Sequence, residues 1–101
     1  MEEILSMVEI FKALSDPIRL RILDLLLKQQ KGDEYCVCDL ADEIGISQPN
    51  VSHHLKILKS AGLVRCEKSE GCSYYVVNAE KLRELCQNLN RTFLGDEYEC
   101  H

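Results

Sequence analysis

No stretch of this 101-residue chain holds the roughly eighteen consecutive apolar residues that a membrane span needs, which excludes a transmembrane helix. The opening "MEEILSMVEI" lacks the positive charge of a secretory leader, since Glu2 and Glu3 stand there instead, and a cytoplasmic location is expected. Histidine is scarce, with only His53, His54 and His101. A nucleophilic thiol needs a nearby base and a group that orients it, and two of these three histidines stand side by side in one helical pattern. An enzyme is therefore not expected. Positive charge is also short, with 12 Lys and Arg against 17 Asp and Glu and a formal charge of −5. That balance argues against indiscriminate nucleic-acid binding. With no internal repeat, low-complexity tract or linker, residues 1–101 read as a single domain whose polar tail begins near residue 95.

The charge that is present is unevenly placed. Between Ile44 and Ser69 stand Lys56, Lys59, Arg65 and Lys68 against the single anion Glu67, so this segment carries +3 and the other 75 residues −8. One basic segment on an acidic body is consistent with a local DNA face. Six cysteines in a reducing compartment read as thiols for metal, redox chemistry or packing rather than as three disulfides. Cys66 and Cys86 fall in apolar patterns and are expected to be small core residues. Cys36, Cys38, Cys72 and Cys100 sit beside polar or turn residues, where chemistry is open to them.

Hydrophobic spacing predicts a first helix over about 3–14, with a stripe of Ile4, Val8, Phe11 and Leu14. "SDP" ends it, because Asp16 can cap a second helix and Pro17 suits its first position. That helix, "IRLRILDLLLKQ", is apolar nearly all round and is expected to be the central buried element, stopped by Gly32. "YCVC" reads as a short extended piece and "DLADEIG" as a two-turn helix, with Gly45 suited to the left-handed turn after it. Ser47 caps "QPNVSHHLKILKSA". "LVRCEK" and "SYYVV" are strand-like on either side of the turn "SEGC", and "AEKLRELCQNLNRTFL" closes with Leu82, Leu85, Cys86, Leu89 and Phe93 on one face. The expected fold is mainly α with a small β-hairpin: a winged helix-turn-helix.

Within "CDLADEIGISQPNVSHHLKILKSAGL", Ala41 is small where two helices cross and Val51, Leu55 and Leu58 point inward. Pro49, Ser52, His53 and Lys56 then point outward together, with Gln48 and Asn50 at the helix mouth. Such a helix can enter the major groove N-terminus first. Gln and Asn pair with adenine, while Ser and Lys reach base edges or phosphate. His54 lies nearer the apolar side, as a packing or capping residue. On the wing, Lys68 and Arg65 can touch phosphate, but the tip has no cation, so a small contribution is expected there.

"ALSDPIRLRIL" at 13–23, "CVCDLADEIGISQPNVSHHLKILKSAGLV" at 36–64 and the Gly71 hairpin ending "YYVVN" resemble the arsenical-repressor family (ArsR/SmtB) over residues 4 to about 94. The resemblance implies a homodimer built on the first and last helices, and a repressor that binds double-stranded operator DNA. It further implies release when Cys36 and Cys38 bind As(III) or Sb(III), the inducer, with no permanent cofactor. Three departures stand out. Arsenic-sensing relatives often have a third thiol where this chain has Ala41. Zinc-sensing relatives place His on the last helix, where this chain has none. Cadmium-sensing relatives add cysteines from the N-terminal side, and none precedes Cys36 here.

Soft thiolates select soft ions, and a helix N-terminus favours the thiolate. Trivalent arsenic takes three sulfurs, and the third is open among Cys100, Cys72, an exogenous thiol and the other subunit. Residues two apart on a helix lie about 200° from one another, so Cys36 and Cys38 can share one ion only if the helix start is extended or unwinds. Unwinding would couple chelation to DNA release. The alternative is a thiol-based redox regulator on the same fold, in which Cys36 or Cys38 pairs with Cys72, Cys100 or the other subunit.

Overall fold

Asp16 begins the central helix as expected. In extended backbone (φ −146°, ψ 128°) its carboxylate accepts the N–H groups of Ile18 and Arg19, with Pro17 in the first position. In the computed structural model residues 1–69 and 71–95 are described; the side chains of Ser69 and Cys72 lie outside that description. Cys100 and the tail from 96 onward also fall outside the described residues. The order is α1 (Glu2–Leu14), α2 (Pro17–Lys28), α3 (Val37–Ile44), α4 (Gln48–Ser60), β1 (Val64–Ser69), β2 (Cys72–Val77) and α5 (Ala79–Leu89). A π-helical turn, Asn90–Leu94, continues α5. The architecture is the expected one, mainly helical with a two-stranded antiparallel hairpin.

The core gathers where α2, α3 and α4 meet the base of the hairpin. Ile22, Leu40, Val51, Leu55, Leu58 and Leu63 are almost fully enclosed, and each buried aliphatic side chain of this kind stabilises the fold by about 1.5–3 kcal/mol. The inward trio of α4 is thus as the helical wheel gives it. Ala41 is buried beside Leu40 and lets α3 approach α4 closely. Gly45, at φ +83°, turns the chain between them, with its N–H on the Ala41 carbonyl at 2.8 Å.

Three expectations need correction. α2 is not apolar all round in its packing: Ile22, Leu23, Leu25 and Leu26 are buried, whereas Leu20 and Leu27 are 51% and 64% exposed. Seven residues apart, those two leucines share a face that the other described residues leave open. Gly32 does not stop α2, which ends at Lys28; it shapes the tight turn that follows (φ +87°), closed by Asp33 N–H on the Gln30 carbonyl. Cys66 and Cys86 are half-buried rather than core, because one face of a two-stranded hairpin stays open and Leu85 takes the inward position on α5.

α1 packs inward through Met7, Ile10 and Ala13. Its expected stripe stands largely free: Ile4, Val8 and Phe11 are exposed, as are Phe93 and Leu94 at the other end of the chain. An apolar surface carried by the first and last helices is what an association face requires.

Candidate thiol site and reading face

Cys36, not Cys38, is the residue at the start of α3. It is extended (φ −81°, ψ 171°), its Sγ accepts the Asp39 N–H at 3.4 Å, and the Asp39 carboxylate accepts the Cys36 N–H at 3.1 Å. This is a reciprocal capping box with sulfur in the place of a hydroxyl oxygen. The helix therefore starts at Val37, two residues before the expected boundary. Because Cys36 lies outside the helical turn, the 200° separation does not apply. Its sulfur meets that of Cys38 in a disulfide, with Cα atoms 5.4 Å apart.

Of the two alternatives left open by the spacing, the extended start is the one found, and the sulfurs converge with α3 intact. The pairing within the segment differs from the expected pairing of Cys36 or Cys38 with Cys72, Cys100 or the other subunit; Cys100 and the Cys72 side chain lie outside the described residues. Asp39 completes a cluster with the two cysteines in which all three donor atoms lie within 4.8 Å of one another. Sequence reasoning passed over Asp39 as a neighbour of the thiols, although an acid three residues after a cap is the ordinary signal for a capping box.

Gln29 fixes the approach to this site. Its amide donates to the Tyr75 carbonyl on β2 at 2.5 Å, and its oxygen accepts the Tyr35 N–H at 3.0 Å. One side chain thus joins the end of α2, the wing and the residue before Cys36. An open acidic groove of about 490 Å³, bordered by Asp33, Glu34, Asp39, Asp42 and Glu43, lies alongside. The thiols therefore sit on an anionic flank, apart from the basic face.

On α4, Ser47 caps through the Asn50 N–H at 3.3 Å, so the mouth of the helix is ordered and faces outward. Gln48, Asn50, Ser52, His53 and Lys56 are all exposed, and Lys68 is exposed on β1. Ser52, His53 and Lys56 share the helix's outer side, Gln48 and Asn50 stand in its exposed first turn, and Lys68 is on the separate hairpin. Among the described residues, Lys56, Lys59 and Lys68 enter no ion pair, while most other basic residues do. Arg65 illustrates the contrast. Its Nε donates to Glu67 at 3.0 Å, and the other oxygen of Glu67 accepts the Tyr74 hydroxyl, which leaves Lys68 as the hairpin cation with no ion-pair partner among the described residues. His54 is half-buried and turned to α2, where its Nδ1 lies 3.2 Å from Arg19 Nη1. It packs, as its wheel position indicates, and does not join the outer group.

The profile described as "Bacterial regulatory protein, arsR family" matches residues 16–65. This chain is 41% identical over 85 residues to an HTH-type transcriptional regulator of Methanocaldococcus jannaschii, covering 84% of this chain and 92% of that one. It is 44% identical over 88 residues to the arsenical resistance operon repressor of Staphylococcus xylosus, covering 87% and 81% respectively. Among solved structures, the homodimeric winged helix-turn-helix DNA-binding domain of Mycobacterium bovis superposes with a TM-score of 0.68 at 28% identity, over 97% of this chain and 90% of that one. A capped reader helix with unpaired lysines, a hairpin wing and this breadth of similarity agree on one answer. The chain is a transcriptional regulator, a DNA-binding protein rather than an enzyme, and it belongs to the arsR family.

Proposed function

We propose that this regulator is a homodimeric repressor of operator DNA, released when reduced Cys36 and Cys38 bind As(III) or Sb(III). The observation that carries the reading is the convergence of the two sulfurs at the cap of α3. In the dithiol form they offer one soft ion two adjacent donors. The similarity to the arsenical repressor of Staphylococcus xylosus supports the same inducer.

The capping box supplies the link to DNA. An ion that draws the Cys36 sulfur out of line with the Asp39 N–H takes the N-cap from α3. Loss of a cap costs about 1 kcal/mol, roughly a fivefold shift in equilibrium. Moving from nearly all bound to nearly all free takes about 5.5 kcal/mol of differential affinity. The cap alone is therefore too small. The remainder has to come from a third donor that closes on the ion only when α3 shifts, with Cys72, Cys100 and an exogenous thiol as the candidates. α3 carries Leu40 and Ala41 into the core against α4, so such a shift reaches the reading helix directly.

Anisotropy of a labelled inverted-repeat duplex, with half-sites about one helical turn apart, tests the assignment. Wild-type protein kept reduced is expected to bind and then to release on adding arsenite. Cys36→Ser and Cys38→Ser are expected to bind equally and to ignore arsenite; a normal response from either removes the assignment.

The Cys36–Cys38 disulfide favours one second reading, a redox regulator on the same fold. Peroxide would oxidise the two thiols to the disulfide, itself reduced to water, and the same two sulfurs would be lost to an incoming ion. Peptide mass mapping after sub-stoichiometric peroxide distinguishes the two readings. A loss of two hydrogens confined to the Cys36–Cys38 peptide, accompanied by loss of DNA binding, supports redox control; unchanged operator affinity in the oxidised protein removes it.

A further inference from the structure

Gln29 closes the loop that leads from α2 to the thiols and ties that loop to the wing. Its Oε1 accepts the Tyr35 N–H at 3.0 Å and its Nε2 donates to the Tyr75 carbonyl at 2.5 Å, both in partly buried surroundings. The two partners fix the amide the same way round. A backbone N–H only donates and a carbonyl only accepts, so a flipped amide would lose both bonds at once. Among the described residues, no other hydrogen bond or ion pair joins residues 30–36 to α2 or to the hairpin. The remaining bonds of that stretch are internal or run into α3: Asp33 N–H to the Gln30 carbonyl, Gly32 N–H to Glu34, the Cys36–Asp39 capping pair, and Leu40 N–H to the Cys36 carbonyl.

Tyr35 and Tyr75 both rest against the hydrophobic core, so apolar contacts keep the loop and the hairpin on the body of the protein. Such contacts are non-directional; the Gln29 amide is the directional element between them. A move of residue 35 must either carry Tyr75 with it or break one of the two bonds, which leaves a partly buried N–H or carbonyl without its partner. Residue 35 directly precedes Cys36. On the other side of the link, β2 pairs with β1 in a register that sets Ser73 opposite Lys68. We propose that Gln29 is the positioning residue that joins the thiols to the wing: ion binding at Cys36 displaces residue 35, and Gln29 passes the displacement through Tyr75 to the hairpin and Lys68. The proposal rests on the reading of Cys36 and Cys38 as the inducer site. It gives that site a second route to DNA, separate from α3 and α4.

Amide ¹⁵N–¹H spectra of the full reduced chain, without DNA, follow both ends of the link as arsenite is added. The Tyr35 N–H is one end. The Val76 N–H shares a planar peptide group with the Tyr75 carbonyl and reports the other. In wild type, Tyr35, Val76 and Lys68 are expected to shift together, in step with the sulfur-to-metalloid absorption. Gln29→Met keeps the length of the side chain and removes both bonds. The core still holds the hairpin, so this variant is expected to fold and to develop the same absorption. Its amides near Cys36 should shift while Val76 and Lys68 stand still. Gln29→Glu keeps an acceptor for Tyr35 but has no donor for Tyr75, and its wing is expected to stand still as well. Against a duplex selected from random sequence by the wild-type protein, arsenite should weaken Gln29→Met about fivefold less than wild type, the worth of one hydrogen bond.

Equal shifts at Val76 and Lys68 in Gln29→Met and wild type overturn the proposal. So does equal weakening of their operator binding, or a wild-type wing that stays still while the absorption develops. Should the variants not fold, the wild-type Gln29 side-chain amide decides: it is expected to shift with Val76, and a constant resonance overturns the link. Absence of the absorption band would instead remove the reading of the thiols as the inducer site. The same spectra across reduction of the Cys36–Cys38 disulfide would then decide the link alone, with joint shifts of Tyr35 and Val76 expected and a still Val76 overturning it.

Discussion

Cys36 has two duties that a hydroxyl residue could not combine. Serine would cap α3 at least as well but is a poor donor to a soft ion; alanine would do neither. The two substitutions therefore separate the duties. Cys36→Ala is expected to destabilise the protein by about 1 kcal/mol, while Cys36→Ser is expected to leave its urea midpoint unchanged or slightly raised, both having lost the inducer response. Equal stabilities for the two variants would mean that the Cys36–Asp39 capping box contributes nothing. The same residue shows where sequence reasoning stops. "CVCDL" marked the chemistry, but the choice between cysteines depended on whether residue 36 was extended or helical, and spacing alone does not decide that. Asp39 was visible only once Cys36 was known to be the cap.

At the scale of the helix, α4 was legible almost whole. Val51, Leu55 and Leu58 recur at helical spacing and fill the core, which forces Ser52, His53 and Lys56 to the outside. Periodicity alone could not show which lysines are free to meet phosphate, because ion pairing is a matter of what stands nearby in space. Lys56 has no ion-pair partner among the described residues, and a phosphate contact there should contribute through counterion release. Lys56→Ala is expected to weaken binding by a similar factor across different duplex sequences and to lower the slope of log K against log salt by about 0.9. An unchanged slope would place Lys56 away from the backbone. α2 teaches the opposite lesson. Its apolar residues run round the whole helix, so no stripe marks the side left open, and the exposure of Leu20 and Leu27 follows from where the other helices happen to dock. Arg19 and Gln29 were missed for a related reason: each ties together elements far apart in sequence, and a single polar side chain in a helix gives no sign of distant partners.

In the molecule as a whole, thiols and reading face lie on different flanks, the first beside an acidic groove and the second among unpaired lysines. The proposed link between them is mechanical, through α3 and α4, and the proposed link between subunits runs through the exposed apolar residues of α1 and of the Asn90–Leu94 turn. Phe11 is 43% exposed and Phe93 69% exposed, a large aromatic cost to leave in water unless a second copy covers it. Phe11→Glu is expected to shift sedimentation from dimer to monomer and to lower affinity for a two-half-site duplex at least tenfold, since binding through paired half-sites depends on the linkage. An unaltered dimer would put the association face elsewhere. The most direct test of the switch follows two signals in one cuvette as arsenite is added to the reduced protein–operator complex: sulfur-to-metalloid ultraviolet absorption and anisotropy of the labelled duplex. The two curves are expected to coincide and to saturate at one ion per subunit. Full development of the absorption band with the operator still bound would contradict the account.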